Sequence, residues 1–225
     1  EISQLLGIHT GGLRSWHFTS ATINDHRRIL SHVFFSGKAL MENADYLFDI
    51  WKELILEYDF SNFKRLTEII RSAKADMEDA ILSSGNHYVL SRLQSYQSPI
   101  GQYNEFTEGI SFYGFLEKLL VRLEKNPNEV SEEFRSVAQN LFTRENIFVD
   151  ITAPANDYKE IEKRVIALTQ DLSDEKKSPV AFEFKAGLVN EAFLTASSVQ
   201  FVGKGANLFE LGMECSGKFD ALNSV

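Results

Sequence analysis

The spacing of apolar residues changes to a helical period after the first fifth of the chain, and this change predicts which elements form. Residues 13–21 and 28–36 are rich in β-branched and aromatic side chains, which is typical of β-strands. The polar residues 24–26 between them predict a turn, so the simplest arrangement is an antiparallel hairpin. Residues 1–7 have the pattern of the end of a helix, and the break at 9–12 separates that helix from the hairpin.

From Asn43 onward, apolar side chains recur every three or four residues, which predicts a series of amphipathic helices. Asn43 and Ser61 are the predicted N-caps of the first two helices, because short polar side chains satisfy the free amides of a helix start. The second helix is interrupted at 83–86 and resumes over 88–97, before a Pro-Gly connection at 98–104. The remaining helices are predicted to begin at Gly109, at Pro127 with Asn126 as its cap, and at Pro154.

Extended segments are predicted later in the chain. The segment Ile147–Thr152 predicts a strand with alternating apolar residues on one face, and residues 180–184 and 192–202 are also predicted to be extended. The glycines of Gly203–Gly205 are interpreted as a backbone turn before a last helical segment. The order of elements predicts an α+β fold of two layers, with helices packed on one face of a mainly antiparallel sheet.

Composition narrows the class of protein. The formal net charge of −9 argues against a nucleic-acid-binding surface, which needs clustered Lys and Arg. No apolar run approaches the ~20 residues that span a bilayer, so a membrane is not an expected partner. The single cysteine, Cys215, excludes an internal disulfide and is compatible with a reducing compartment, from which we expect a cytoplasmic location.

Three parts of the chain together carry a family resemblance. They are the strand entry Ile8–Gly12, the connection Ser98–Asn104 followed by Gly109–Leu116, and the segment Val199–Phe209. These parts resemble the presequence-protease branch of the insulinase (pitrilysin) superfamily of zinc peptidases. The resemblance implies that residues 1–178 are a non-catalytic α+β domain similar to the third of four domains in that family. It also implies that residues 179–225 hold a linker strand and the opening of a following, truncated domain.

The same resemblance implies a longer parent enzyme, whose two halves enclose a chamber where one zinc ion cuts short unfolded peptides. The expected partners of this chain are then the catalytic N-terminal half of the same parent chain and peptide substrates. An excised domain exposes apolar faces and strand edges, so self-association of the isolated chain is a further hypothesis.

No catalytic or metal-binding residue is predicted in this chain, although the parent enzyme is expected to hold zinc. The family places its zinc ligands in an inverted His-x-x-Glu-His helix, whose spacing puts both imidazoles on one face. That spacing is absent from the five histidines, which are His9, His17, His26, His32 and His87.

The sequence does not identify the residues that bind substrate. Arg92, Tyr103 and Tyr113 are candidates for stabilising an oxyanion, but packing or surface hydrogen bonding is the preferred interpretation of each. The aromatic residues Phe112, Tyr113 and Phe115 could line a peptide chamber, yet their helical spacing favours core packing.

Two other functions remain open at the level of sequence. The chain could belong to a non-proteolytic scaffold of the same superfamily, similar to its respiratory core subunits, or it could be an unrelated α+β binding module. An intact inverted zinc motif upstream in the parent gene would favour the peptidase over the scaffold, because fold alone does not fix function.

Overall fold

The structure, a computed structural model, describes residues 2–25, 27–175, 182–185, 187, 189–196, 198–208 and 210–213. It divides into two compact units. The first unit draws on Glu1–Phe18, Ser31–Ser72 and Lys118–Ala181, and the second on Thr19–Leu30, Ala73–Glu117 and Phe182–Val225. The domain border predicted at residue 178 lies outside the described residues and stays a prediction.

The described ranges contain two strands and eight α-helices. The strands are β1 (Leu13–Ala21) and β2 (Ile29–Gly37). The helices are α1 (Ile2–His9), α2 (Ala44–Leu56), α3 (Phe63–Ser83), α4 (Gly85–Ser95), α5 (Pro99–Glu108), α6 (Ile110–Lys125), α7 (Pro127–Leu141) and α8 (Tyr158–Gln170). The predicted α+β class is therefore confirmed.

The predicted hairpin forms as an antiparallel pair of β1 and β2. Gly12 enters β1 with a φ of 98°, a left-handed conformation that glycine adopts without the steric cost of a Cβ atom. At the other end of the hairpin, the backbone amide of Arg27 donates to Asp25 Oδ1, and Thr22 Oγ1 donates to the Asp25 carbonyl oxygen. The predicted turn residue His26 lies outside the described residues.

Some helix starts follow local sequence signals and others do not. Pro127 is the first residue of α7, as predicted from Asn126-Pro127, because proline needs no amide partner at that position. The predicted cap at Ser61 is wrong, since Asn62 Oδ1 accepts the Arg65 amide at 3.0 Å while the Ser61 hydroxyl donates to Asp59. The last helix begins at Tyr158 rather than at Pro154, and residues 155–157 form a turn before it.

The predicted connection at 98–104 is instead the start of helix α5. Ser98 is its N-cap, with Oγ accepting the Gly101 amide at 3.1 Å, and Pro99 is the first helical residue. Gly101 is buried, and a Cβ atom there would collide with the Gln94 carbonyl oxygen. The Pro and Gly residues therefore start a helix and bring it close to α4, rather than breaking the chain.

The predicted strand at Ile147–Thr152 is wrong, because this segment has no regular secondary structure. The physical reason is that a strand needs a hydrogen-bonding neighbour, and alternation of apolar residues does not supply one. The residues of 182–184, 192–196 and 198–202 likewise belong to no strand in the structure. Within the described ranges the sheet therefore consists of β1 and β2 alone.

Each unit has its own buried residues. The first unit buries Ala44, Ile50, Ile70, Leu119, Leu123, Val130, Ala138 and Leu172, and the second buries Tyr88 and Leu116. Phe115, whose helical spacing favours core packing, is 49% exposed, because periodicity marks a face and not how far neighbours cover it. No helix in the described ranges is both long and apolar enough to cross a membrane.

Candidate functional site

One face of the hairpin is a continuous set of aromatic rings, which we call the aromatic face. It consists of Trp16, Phe18, His32, Phe34 and Phe148. The rings of Trp16 and Phe34 stack with centroids 5.3 Å apart, and Phe148 meets Phe34 edge-on at 5.8 Å. Residues 16 and 18 on β1 and residues 32 and 34 on β2 share this face because side chains alternate along a strand.

The opposite face of the hairpin packs in part against helices. Phe35 meets the Trp51 ring of α2 edge-on at 6.0 Å, and it lies at the same distance from Phe142 at the end of α7. Gly37 permits this approach, because a Cβ atom there would meet Leu47 and Leu13 within 3 Å. Helices thus pack against part of the Phe35 face, as expected for the two-layer arrangement, although Phe35 itself is 41% exposed.

The aromatic face itself is largely open to solvent. Trp16 is 47% exposed, Phe18 is 52% exposed and Phe148 is 62% exposed. Exposed apolar patches of this kind on a soluble protein are typical of binding surfaces. Flat aromatic rings offer large contact areas to apolar or aromatic side chains without fixing one partner sequence.

The aromatic stripe singled out by sequence on α6 has a different character. Phe112 stacks on Phe115 with centroids 6.0 Å apart, and Phe115 is exposed. The Tyr113 hydroxyl donates to Glu78 at 2.6 Å, Glu117 Oε1 lies 3.2 Å from the same hydroxyl oxygen, and Lys74 is placed over the ring. The hydrogen bond to Glu78 raises the pKa of Tyr113, so this phenol is a poor proton donor for chemistry at neutral pH.

A second polar site surrounds Arg92 in the second unit, and we call it the Arg92 hub. Its members are Arg92 and Tyr96 of α4, Glu105 of α5, Ser111 of α6 and Glu191. Arg92 Nη1 donates to Glu105 Oε1 at 2.9 Å and to Ser111 Oγ at 3.0 Å. The other edge of the guanidinium donates from Nε and Nη2 to the two carboxylate oxygens of Glu191, at 2.5 and 3.3 Å.

Glu105 joins the helices at the hub. The residue is 1% exposed, and its Oε1 accepts the Ser111 backbone amide at 2.9 Å in the first turn of α6. A carboxylate at a helix start is stabilised by the free amides and by the helix dipole. Glu105 therefore holds α4 and the start of α6 together through one oxygen atom.

Arg92 and Glu191 of the Arg92 hub each stabilise the charged form of the other. Hydrogen bonding to Glu191 raises the pKa of the Arg92 guanidinium, and the bonds from Arg92 hold the pKa of Glu191 below its usual value. Burial, and then the hydrogen bond to Glu191, raise the pKa of the Tyr96 phenol. All three side chains thus keep their ordinary charge states at neutral pH, as in an ion-pair network rather than a proton-transfer site.

Replacing Gly109 with alanine is expected to lower the free energy of unfolding by about 2 kcal/mol, because overpacking is costly. The backbone of Gly109, with φ −90°, suits any residue, but a Cβ atom would collide with the Glu105 carboxylate and lie 2.8 Å from Glu105 Cα. Urea denaturation followed by circular dichroism would measure the change.

Gly114 is the matched control, because it lies inside α6 and a Cβ atom added to it would meet nothing within 4 Å. Alanine at 114 is expected to raise the free energy of unfolding by about 0.5–1 kcal/mol through helix propensity. Equal effects of the two substitutions would contradict the crowding at Gly109.

The histidines serve separate local contacts. His9 stacks on Tyr46 with centroids 3.8 Å apart, His32 belongs to the aromatic face, and His87 meets Tyr88 edge-on. His17 is exposed on β1, and His26 lies outside the described residues. In the described part of the chain no three His, Cys, Asp or Glu side chains are grouped as a metal site.

Tyr103 and the glycines Gly203 and Gly205, which the sequence also singles out, each lie close to neighbouring side chains. The Tyr103 ring meets Phe182 edge-on at 5.4 Å. The interpretation of Gly203 and Gly205 as a backbone turn is wrong, because neither has a positive φ and no turn is present there. Gly203 instead allows a close approach to α4, where a Cβ atom would lie 2.5 Å from Val89 and 2.8 Å from Leu93.

Comparison with known families defines the class of this protein. A family model described as peptidase M16-C associated matches residues 1–119, which is just over half of the chain. The chain therefore belongs to the peptidase M16-C associated family. The resemblance to the presequence-protease branch of the insulinase superfamily is thereby confirmed.

Particular relatives extend the similarity along the chain. Protein HypA of Clostridium perfringens is 25% identical over 225 residues, covering 100% of this chain and 23% of the relative. Presequence protease 1, chloroplastic/mitochondrial, of Arabidopsis thaliana is 27% identical over 219 residues, covering 96% of this chain and 20% of the relative. The mitochondrial presequence protease of Saccharomyces cerevisiae is 24% identical over 171 residues, covering 73% of this chain and 17% of the relative. The chain thus spans about a fifth of the length of these relatives.

Proposed function

We propose that this chain is a non-catalytic, chamber-forming part of a longer zinc metalloendopeptidase that degrades short unfolded peptides. The observation that carries the proposal is the family match over residues 1–119, together with relatives named presequence proteases. The lack of a metal-binding group in the described ranges is compatible with it, because zinc hydrolysis needs three protein ligands and a general base. In this proposal the catalytic N-terminal half of the same parent chain supplies the zinc, which activates water.

The proposed contribution of this chain is to hold and enclose the peptide. The open rings of Trp16 and Phe18 would contact apolar side chains of an extended peptide, while α2 supports the hairpin from behind through Trp51. Contacts made equally to substrate and transition state lower KM without raising kcat. Enclosure would also keep bulk water away from the bound peptide.

The first experiment compares the purified chain of residues 1–225 with the longer parent protein on an unfolded fluorogenic peptide, with zinc present. The parent is expected to cleave the peptide, and the chain alone is expected to show only the background rate. Chelator-sensitive cleavage by the chain alone would overturn the proposal. A well-folded parent that cleaves no unfolded peptide would instead favour the non-proteolytic scaffold.

The second experiment tests the aromatic face in the parent protein. Trp16→Ser and Phe18→Ser are each expected to raise KM by about fivefold, with kcat unchanged, because they remove ground-state contacts. Val137→Ser is the matched control, since Val137 is 62% exposed and lies outside the aromatic face. Equal KM values for the face variants and the control would exclude peptide binding at this face.

A further inference from the structure

The segment 189–196 follows an irregular path, and we call it the strap. All of its residues are exposed, including Leu194 at 99% and Phe193 at 50%. The strap therefore gains little from burying apolar surface, which is the usual means of fixing a segment. Its Glu191 side chain is the exception, with only 26% of its surface exposed.

Glu191 binds to a cation that other residues already hold in place. Glu105 and Ser111 fix the Nη1 side of Arg92, so the Nε and Nη2 edge is presented to the strap. A planar guanidinium edge matches a carboxylate with two parallel hydrogen bonds. The Tyr96 hydroxyl adds a third donor to Glu191.

Aromatic rings complete the walls of this site. The Arg92 guanidinium carbon lies 5.2 Å from the Tyr96 ring centroid and 5.7 Å from that of Phe193. Cations are attracted to such ring faces, and the rings limit access of water to the ion pair. Phe193 belongs to the strap itself, so the strap supplies both the carboxylate and one wall.

We propose that Arg92, Tyr96 and Glu105 form a preformed carboxylate-binding clasp whose ligand is Glu191, and that this clasp holds the strap on α4. Loss of the Glu191 carboxylate then frees the strap while helices α4, α5 and α6 stay folded, because Arg92 keeps Glu105 and Ser111 as partners. The clasp thus acts as a latch on the strap, which precedes residues 198–208. This role does not depend on the proposed peptidase function.

Hydrogen exchange of the full chain tests the latch with Glu191→Gln. This substitution keeps the shape of the side chain but removes the charge that the Nε and Nη2 edge of Arg92 recognises. Amides of the strap are expected to exchange about tenfold faster, as loss of a charge-assisted hydrogen bond implies. Amides inside α4, α5 and α6 are expected to exchange at the wild-type rate.

Glu183→Gln is the matched control, because it removes the same charge from an exposed glutamate of the same unit. The control is expected to leave exchange of the strap unchanged. Equal exchange of the strap in the two variants would overturn the proposal. An equal acceleration in the strap and in α4, α5 and α6 would overturn it as well, because Glu191 would then stabilise the whole unit.

Discussion

Replacing Glu105 with alanine is expected to lower the free energy of unfolding by about 3 kcal/mol, because it breaks a buried ion pair from one side. Arg92 would lose its acceptor at 2.9 Å, and the Ser111 amide in the first turn of α6 would lose its acceptor as well. The remaining contact between Arg92 and Glu191 keeps the guanidinium paired, which limits the cost. Urea denaturation followed by circular dichroism measures this change.

Glu108→Ala is the control for this prediction, because Glu108 lies on the same helix but is exposed. Its removal is expected to change the free energy of unfolding by less than about 0.5 kcal/mol. A similar small effect at Glu105 would mean that the buried carboxylate does not hold the three helices together. Glu105→Gln removes the charge but keeps the shape of the side chain. The side-chain carbonyl oxygen of glutamine can still accept a hydrogen bond from the Ser111 backbone amide.

Replacing Leu123 with alanine is expected to lower the free energy of unfolding by about 3 kcal/mol through loss of buried surface and creation of a cavity. Leu123 is 3% exposed on α6, and the first unit also buries Leu119 and Val130 completely or nearly so. The measurement is the urea midpoint at constant m-value, which separates a stability change from a change in the unfolded state.

Val121→Ala provides the comparison on the same helix, because Val121 is 50% exposed. Its expected effect is below about 0.5 kcal/mol. Equal changes in the free energy of unfolding would mean that Leu123 is not packed in the interior of the first unit.

Local signals in the sequence are sufficient to predict most elements. The hairpin strands and helices α2, α3, α6 and α7 have the predicted character because the periodicity of their apolar residues acts within a few positions. Helix α5 escapes prediction because Ser98-Pro99 followed by Gly101 is equally typical of a turn. Only the contact of Gly101 with α4 distinguishes the two structures.

Contacts between distant residues cannot be read from the sequence. Arg92 stands out in the sequence only as a single residue, but its partners Glu105 and Glu191 lie 13 and 99 positions away. No spacing rule connects them, because tertiary packing of α4, α5 and the strap brings them together. The strand predicted at Ile147–Thr152 is wrong for the related reason that pairing depends on a neighbour elsewhere in the chain.

The aromatic face is predictable only in part. The sequence indicates that the hairpin is rich in aromatic residues, but not which face packs against the helices. Phe34 and Phe35 are adjacent in sequence, yet Phe35 contacts Trp51 while Phe34 stacks on Trp16. Phe148 joins the face from a segment whose pattern predicts a strand.

The position of the two tryptophans has an optical consequence. The chain has two indole rings, Trp16 and Trp51, and both belong to the first unit, so tryptophan fluorescence reports on that unit. Because Trp16 is 47% exposed, its emission should lie at long wavelength and shift to the blue whenever something covers the rings around it. Trp16 is therefore a label-free fluorescent reporter of any molecule that covers the aromatic face.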